Sequence, residues 1–168
     1  MSDLTLAARN YLAQQPSVTS LLGSDTLWDT WIFADEPYAL VENSQSVLIV
    51  ITQEGGWASP NMHNTMQFPR LLIDIWADPT RNPATNAVRV KDAKIKINAV
   101  YNAVDKFLHT VNLDVPGGGS IYWGTATQIF EKTGSRIQGS QRLGEPEFSP
   151  VMDGNGAYMG RVIYGVTI

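Results

Sequence analysis

The chain has 168 residues, the size of one domain that buries about two-thirds of the surface its unfolded form exposes. Its net charge of −4 excludes a general nucleic-acid binder, which needs a concentrated basic surface. The absence of cysteine excludes disulfides, thiol nucleophiles and cysteine-ligated zinc. Only 17% of the residues are charged, which favours a protein that buries surface against other chains, although a monomer is also compatible.

The charge is unevenly distributed along the chain. Before Arg70, seven acidic residues stand against one base, Arg9. Between residues 81 and 106, six bases stand against two acids. An acidic and a basic section on one small domain could meet head to tail in neighbouring subunits. The alternative is two separate solvated surfaces.

The first predicted element is a short N-terminal helix. Ser2 or Asp3 can cap it, and apolar residues at spacings of three and four carry it to about Gln14. Pro16 ends this helix, and the residues after it predict one further turn that Gly23 closes. No basic region followed by an apolar core opens the chain, so we expect a protein that is made without a signal peptide and does not enter a membrane.

Three strands are predicted in the following stretch, at 27–33, 46–52 and 70–77. The strand at 46–52 is apolar on both faces, which is typical of a strand that is central in the fold or lies beneath a partner. The strand at 70–77 places one acid, Asp74, between two large apolar side chains on the same face.

The segment 53–69 between the last two strands is long for a hairpin connection, so it is predicted to be a loop. Its aromatic and methionine side chains make it a candidate docking arm for a partner protein. The residues expected to contact that partner are Trp57, Met62, Met66 and Phe68. The alternative is a loop that folds back on its own domain.

Asn82 and Pro83 resemble an N-cap followed by a first-turn proline, so the longest helix is predicted to run from there to about Thr110. A glycine-rich break at 114–120 separates it from further strands, the last of them at 158–168. This order predicts an α+β fold, with a mainly antiparallel β-sheet packed by one long and one short N-terminal α-helix. No linker divides the sequence, so residues 1–168 are expected to form a single domain.

The sequence carries no complete catalytic or cofactor motif. The phosphate-binding pattern G-x-x-x-x-G-K-S/T is absent, and the run GGGSIYWG lacks the last glycine of G-x-G-x-x-G. His63 and His109, the two histidines, have no partner at metal-site or triad spacing. We therefore expect no enzyme, cofactor or metal site. Carboxylate pairs at 35–36 and at 145 and 147 leave a small carboxylate-dependent hydrolase as the enzymatic alternative.

A lone acid among apolar residues needs a partner when it is buried. Asp74 is therefore expected to pair with an arginine, a lysine or backbone donors, either of its own subunit or of the next one. The basic residues predicted to take part in such pairing between subunits are Arg89, Lys91, Lys94 and Lys96. The turn-rich stretch 138–155 is a second candidate for contact with partners.

Three stretches of the sequence resemble the tail-terminator (tail-completion) proteins of long-tailed bacteriophages. They are SDLTLAARNYLAQQPSVTSLLG at the N-terminus, FPRLLIDIWAD in the middle and RLGEPEFSPVMDGNGAYMGRVIYGVTI at the C-terminus. The long helix between the last two resembles the next element of that family. The likeness covers nearly the whole chain as a pattern and implies a sheet flanked by helices.

The same resemblance implies a structural virion protein at the tail or neck, assembled in the host cytoplasm. Its homo-oligomeric ring, typically a hexamer, would cap the tail tube, end polymerisation and join the tube to the head–tail connector. The implied partners are other copies of the chain, the major tail tube protein and a connector protein. Genomic DNA would pass through without specific binding, past a channel to which the acidic excess before Arg70 contributes. The alternative within the virion is another neck or minor tail protein of the head-closure type.

Overall fold

The computed structural model describes residues 3–22, 31–34, 47–58, 67–77, 80–81, 84–85, 88–109, 139–150 and 158–167. The helices in these ranges are α1 (Asp3–Ala13), α2 (Pro16–Thr19) and α3 (Val90–Leu108). The strands are β1 (Ile32–Ala34), β2 (Val47–Ala58), β3 (Gln67–Ala77), β4 (Thr80–Arg81), β5 (Val88–Arg89), β6 (Gly139–Arg142), β7 (Glu147–Pro150) and β8 (Tyr158–Thr167).

Six of these strands form one sheet, in the order β1, β2, β3, β8, and then β6 and β7. β6 pairs with the C-terminal part of β8 and β7 pairs with its N-terminal part, so both lie along the same side of β8. β1 runs parallel to β2, whereas the other pairs in this sheet are antiparallel. The predicted α+β fold with a mainly antiparallel sheet is confirmed.

One face of the sheet packs against α1 and α3 and forms the main core. Every second side chain of a strand points to the same face, and these alternate residues are the apolar ones. The strands contribute Val47, Ile49, Ile51, Leu71, Ile73, Ile75, Ala77, Val162, Tyr164 and Val166. The two long helices contribute Leu4, Ala7, Ala8, Leu12, Ala93, Ile97, Val100, Tyr101, Val104 and Leu108. These are the faces that the apolar periodicity of each element predicts.

The prediction of a loop over 53–69 is wrong at both ends, because β2 continues to Ala58 and β3 begins at Gln67. Gly55 and Gly56 resemble turn formers, yet a register shift between Glu54 and Trp57 absorbs them as a bulge inside the strand pair. The same irregularity accommodates the proline at position 69, which cannot donate a hydrogen bond to a regular ladder. Residues 59–66, between the two strands, lie outside the described residues.

The start predicted for the long helix is also wrong, because α3 begins at Val90 rather than near Pro83. The preceding residues form a short antiparallel pair, in which Thr80 lies opposite Arg89. Threonine, asparagine and valine make up five of the ten residues at 80–89, and they are poorer helix formers than the alanines and lysines that follow, so a short strand pair forms here in place of the first helical turns. The predicted glycine-rich break at 114–120 lies outside the described residues.

A polar cluster fastens β6 to the C-terminal end of α3. Ser140 Oγ donates a hydrogen bond of 2.5 Å to the carbonyl oxygen of Leu108, which lies in the last turn where helical partners run out. The backbone N–H of Arg142 donates to His109 Nδ1 at 3.0 Å. Hydrogen bonds of this kind hold β6 in place at the edge of the sheet, next to the end of the helix.

Asp105 lies at the centre of this cluster. One of its carboxylate oxygens accepts a bond of 2.7 Å from the hydroxyl of Tyr164, and the other accepts one of 3.0 Å from Arg142. Arg142 also donates to the hydroxyl of Tyr101. Burial, reinforced by the hydrogen bond to the Asp105 carboxylate, raises the pKa of Tyr164 far above its ordinary value of about 10.

The raised pKa of Tyr164 predicts a loss of stability in alkali. Below a pH of about 10 the phenol is neutral in both the folded and the unfolded chain, and its contribution to the free energy of unfolding is fully present. Above that pH the unfolded chain releases the proton and the folded chain does not, so the free energy of unfolding falls as pH rises. Urea unfolding at pH 8 to 11 measures this slope. Tyr164→Phe should reduce the slope and cost about 1 to 2 kcal/mol at pH 8; an unchanged slope would contradict the assignment.

Gly160 predicts a second effect on stability. It lies on β8 under α3, where an added β-carbon would overlap Cγ2 of the buried Ile97. Gly160→Ala should therefore push the helix from the sheet and lower the free energy of unfolding by about 1 to 3 kcal/mol. Gly55→Ala is the matched control, because no atom lies within 4 Å of the added β-carbon there. Equal effects of the two substitutions in urea unfolding would show that close packing at Gly160 is unimportant.

Candidate protein interaction surface

The face of the sheet that α1 and α3 do not cover divides into an apolar and a polar part. In the apolar part, buried Trp31, Leu48 and Val50 form a second cluster, against which Phe33 and Trp76 pack. The first five residues of β2, from Val47 to Ile51, are thus buried on both faces, as this apolar run predicts. The position of β2 between β1 and β3 makes it a central strand of the fold.

The polar part of this face is centred on an ion pair between β3 and β8. Asp74 and Arg161 lie opposite each other in the register of the two strands. Arg161 Nε and Nη2 donate to the two carboxylate oxygens of Asp74 at 2.7 and 2.8 Å, which is the bidentate geometry. Hydrogen bonding to this carboxylate raises the pKa of Arg161. Asp74 thus has a basic partner within its own chain.

The pair of Asp74 and Arg161 is more buried than the neighbouring ion pair of Arg70 and Glu54. Only 8% of the Asp74 side chain is exposed, whereas 41% of the Arg161 side chain reaches solvent. The carboxylate has lost most of its hydration and depends on the guanidinium for compensation. Arg70 and Glu54 approach at 3.8 Å and are each about half exposed, so that pair contributes little to stability.

A pocket of about 330 Å³ opens beside the ion pair, where the chain passes from β6 to β7. We call it the β6–β7 pocket, and its lining residues are Arg70, Leu143, Gly144, Glu145, Glu147, Arg161 and Ile163. Leu143 is 54% exposed, although it is a large apolar residue. The side chain of Glu145 is 80% exposed at the rim. A partly exposed apolar wall with a charged rim is typical of a surface that contacts another protein.

Trp57 and Phe68 lie opposite each other near the far end of the β2–β3 pair. β3 pairs with β8 only as far as Arg70, which lies opposite Gly165, although β8 itself continues to Thr167, where it pairs with Gly139 of β6. Two residues predicted to contact a partner thus lie in paired strands and not in a loop, and Phe68 is half-buried. The other two, Met62 and Met66, fall outside the described residues.

The basic residues predicted to pair between subunits lie at the start of α3, on the other side of the sheet. Arg89 ends β5, and Lys91, Lys94 and Lys96 follow within the first two turns of the helix. Lys91 and Lys94 are exposed, and Lys96 is half-buried. Because Asp74 lies on the opposite face and both its oxygens are occupied, one chain does not bring these bases and this acid together.

The β6–β7 pocket is the part of the surface that sequence reasoning did not find. The stretch 138–155 was identified as a contact candidate, but no spacing along the chain relates it to Arg70 or Arg161. The register of β8 with both β3 and β7 brings these residues together. A signal existed in Leu143, an apolar residue within a turn-rich stretch.

In the described ranges, no group of histidine, aspartate and glutamate side chains could hold a metal ion. No helix of the described part is long and apolar enough to cross a membrane. The two carboxylates at the pocket rim, Glu145 and Glu147, are exposed. A glycosidase acid, in contrast, needs a desolvated environment that keeps it protonated at neutral pH.

Among solved structures, the fold is similar to that of a chain in the structure described as "Virion of native gene transfer agent (GTA) particle". The alignment covers 98% of this chain and 92% of that chain, with a TM-score of 0.53 and 11% sequence identity. At this identity the likeness shows a shared fold. No protein-family profile and no curated protein matches the sequence.

The different burial of the two ion pairs predicts different costs of breaking them. Arg161→Met leaves the Asp74 carboxylate buried without its partner and should lower the free energy of unfolding by about 2 to 4 kcal/mol, less than for a fully buried pair. Arg70→Met, the control, should cost less than about 1 kcal/mol. Combining Arg161→Met with Asp74→Leu should recover most of the loss. Urea unfolding measures all of these variants, and equal costs for Arg161→Met and Arg70→Met would contradict the expectation.

Proposed function

We propose that this chain is a structural protein of a phage-like virion. The observation that carries the proposal is the fold likeness to a chain of a gene transfer agent virion, which extends over 98% of this chain. A likeness over nearly the full length of both chains involves the whole domain rather than one common motif. The sequence resemblance to phage tail proteins is independent support, because it rests on residue patterns at both ends and in the middle of the chain.

Within the virion, the finer proposal is a tail terminator: a homo-oligomeric ring, expected to be a hexamer, at the junction of tube and neck. The ring binds the last layer of the major tail tube protein with one of its faces. Its other face is different and meets the connector, so no further tube subunit can add. Termination by this mechanism is geometric and requires no reacting group.

Two surfaces of the described chain support contact with several partners. The far end of the β2–β3 pair carries two aromatic residues, Trp57 and Phe68, beyond the last pairing of β3 with β8. The β6–β7 pocket presents the exposed Leu143 on a different part of the same sheet. Aromatic and exposed aliphatic residues of this kind provide most of the binding free energy in protein interfaces.

The passage of DNA is part of the same proposal. Seven acids against one base before Arg70 give this part of the chain a negative charge. Such a section facing the lumen repels the phosphate backbone and lets the genome pass without binding. The role requires no enzymatic activity, and the exposure of Glu145 and Glu147 favours an interface over a catalytic acid pair.

Tube assembly tests the proposed function. The chain is added to the tail tube protein of the same genome, and tubes are examined by negative-stain electron microscopy. A terminator gives rings of this chain at one end of each tube and a narrow distribution of tube lengths. A head-closure protein instead binds the connector and leaves tube length unchanged. A chain that forms no ring and binds neither tube nor connector would overturn the proposal.

The position of Trp57 predicts a contact with the tube. Trp57→Ala should weaken co-sedimentation with tail tubes about tenfold, which corresponds to about 1.4 kcal/mol and is typical of an aromatic residue at an interface. The fold should be retained, as urea unfolding would verify. Leu21→Ala is the control, because Leu21 is also a large apolar residue with 41% exposure but follows α2 on the helical side. Unchanged co-sedimentation of Trp57→Ala would exclude the hairpin as the docking element.

A further inference from the structure

The exposed side of α3 carries an apolar residue among polar ones. Residues at spacings of three and four share this side, and all of them are exposed. We call the N-terminal part of this side the α3 stripe: Lys91, Ile95, Asn98, Ala99 and Asn102. Ile95 is 56% exposed, a rare degree for a large apolar residue in the described part of the chain. Lys91 lies one turn before Ile95, with its β-carbon about 6 Å away.

The cations of α3 differ in how they are engaged. Lys94 lies over the rings of Phe148 and Tyr158, at 5.8 and 5.5 Å from their centroids, so its charge is used within the chain. Lys91 forms no ion pair with any other described residue. Among the described residues, no charged side chain thus engages Lys91, the cation one turn before Ile95.

The β6–β7 pocket has the complementary composition. Leu143 and Ile163 provide its apolar wall, and two acids lie at its rim. Glu147 forms no ion pair with a described residue, and Glu145, which is 80% exposed, approaches Arg142 only at 3.6 Å. Of the two arginines in the lining, Arg161 is held by Asp74 at 2.7 Å, whereas Arg70 approaches Glu54 only at 3.8 Å. Glu147 and the exposed Glu145 are thus acids that can pair with a base of a partner.

The charges that the two surfaces present at their exposed positions are opposite in sign. α3 has four lysines and two aspartates, a net charge of +2, and its exposed Lys91 lies beside Ile95. The lining of the pocket has two acids and two arginines, and both acids, Glu145 and Glu147, are exposed. One chain cannot join the surfaces, because α3 packs on one face of the sheet and the pocket opens on the other. Complementary patches on opposite faces of identical subunits join head to tail and close into a ring when the rotation permits.

We propose that the α3 stripe of one subunit docks into the β6–β7 pocket of the next. Ile95 packs against Leu143 and Ile163, while Lys91 lies beside Glu145 and Glu147. The occupant of the pocket is thus a second copy of this chain. The contact deepens the proposed function, on which it rests, by naming the two surfaces that build the ring. It also replaces Asp74 with the rim acids as the partner of the basic helix.

A charge exchange tests this contact directly. Lys91→Glu and Glu147→Lys should each weaken ring assembly at least tenfold, because each brings like charges together in every contact. The double variant should restore assembly to within about threefold of the original chain, because the pair is re-formed with its signs reversed. Sedimentation velocity and native mass spectrometry measure assembly, and urea unfolding verifies that each variant folds. Lys106→Glu is the control: about 22 Å along the helix from Lys91, it should change assembly less than threefold.

A mixing experiment gives a second, independent readout. Ile95→Glu disrupts the stripe and leaves the pocket intact, whereas Leu143→Glu disrupts the pocket and leaves the stripe intact. Each variant alone should therefore remain monomeric. Mixed in equal amounts, they should form dimers that grow no further, since the intact pocket of one accepts the intact stripe of the other. Rings that persist in the charge variants, or a mixture without dimers, would overturn the contact and leave the proposed function in place. If the original chain stays monomeric even in the presence of tail tubes, both the contact and the proposed function are overturned. If the pocket variants form rings but lose tube binding, the contact between subunits is overturned and the pocket is assigned to the tube protein.

Discussion

The register between β3 and β8 is the constraint on which the other features of this domain depend. It sets Asp74 opposite Arg161 on one face of the sheet, and Ile73 opposite Val162 on the other. A slip by one residue would turn the Arg161 side chain toward α3 and leave the Asp74 carboxylate without compensation. Burial of the core face by itself favours this register, and the bidentate ion pair on the opposite face favours the same register.

The same register determines what the helices meet. Gly160 comes to lie under Ile97, so α3 can approach the sheet closely at this point. Further along β8, Tyr164 comes within 2.7 Å of Asp105, near the C-terminal end of the helix. A residue without a side chain and a residue with a long polar one thus position the middle and the C-terminal part of α3 on the sheet. Because β6 is bonded to the same polar cluster, the β6–β7 pocket inherits its shape from this packing.

Periodicity in the sequence was sufficient to predict the core, because apolar spacing is a local property. The faces of α1, β2, β3, α3 and β8 were predictable, and so was the need of Asp74 for a partner. The identity of that partner was not, since Arg161 follows 87 positions later and only sheet pairing relates the two. The predicted boundaries of β2, β3 and α3 were wrong where one local sequence pattern is compatible with two structures. Gly55 and Gly56 suit a turn and also a bulge, and Asn82 with Pro83 suits a helix start and also a hairpin.

The edges of the described sheet bear on how such a chain could assemble. An open edge of a sheet can pair with any exposed strand, which leads to uncontrolled association. β1 is only three residues long, and the opposite edge is interrupted between β6 and β7 by a segment that includes Pro146. Neither offers a long continuous ladder to another chain. Assembly through side chains is then favoured over strand addition, and side-chain contacts between unlike faces have a defined geometry. Contacts of this kind, when they join subunits head to tail, close into a ring of fixed size if the rotation between subunits permits.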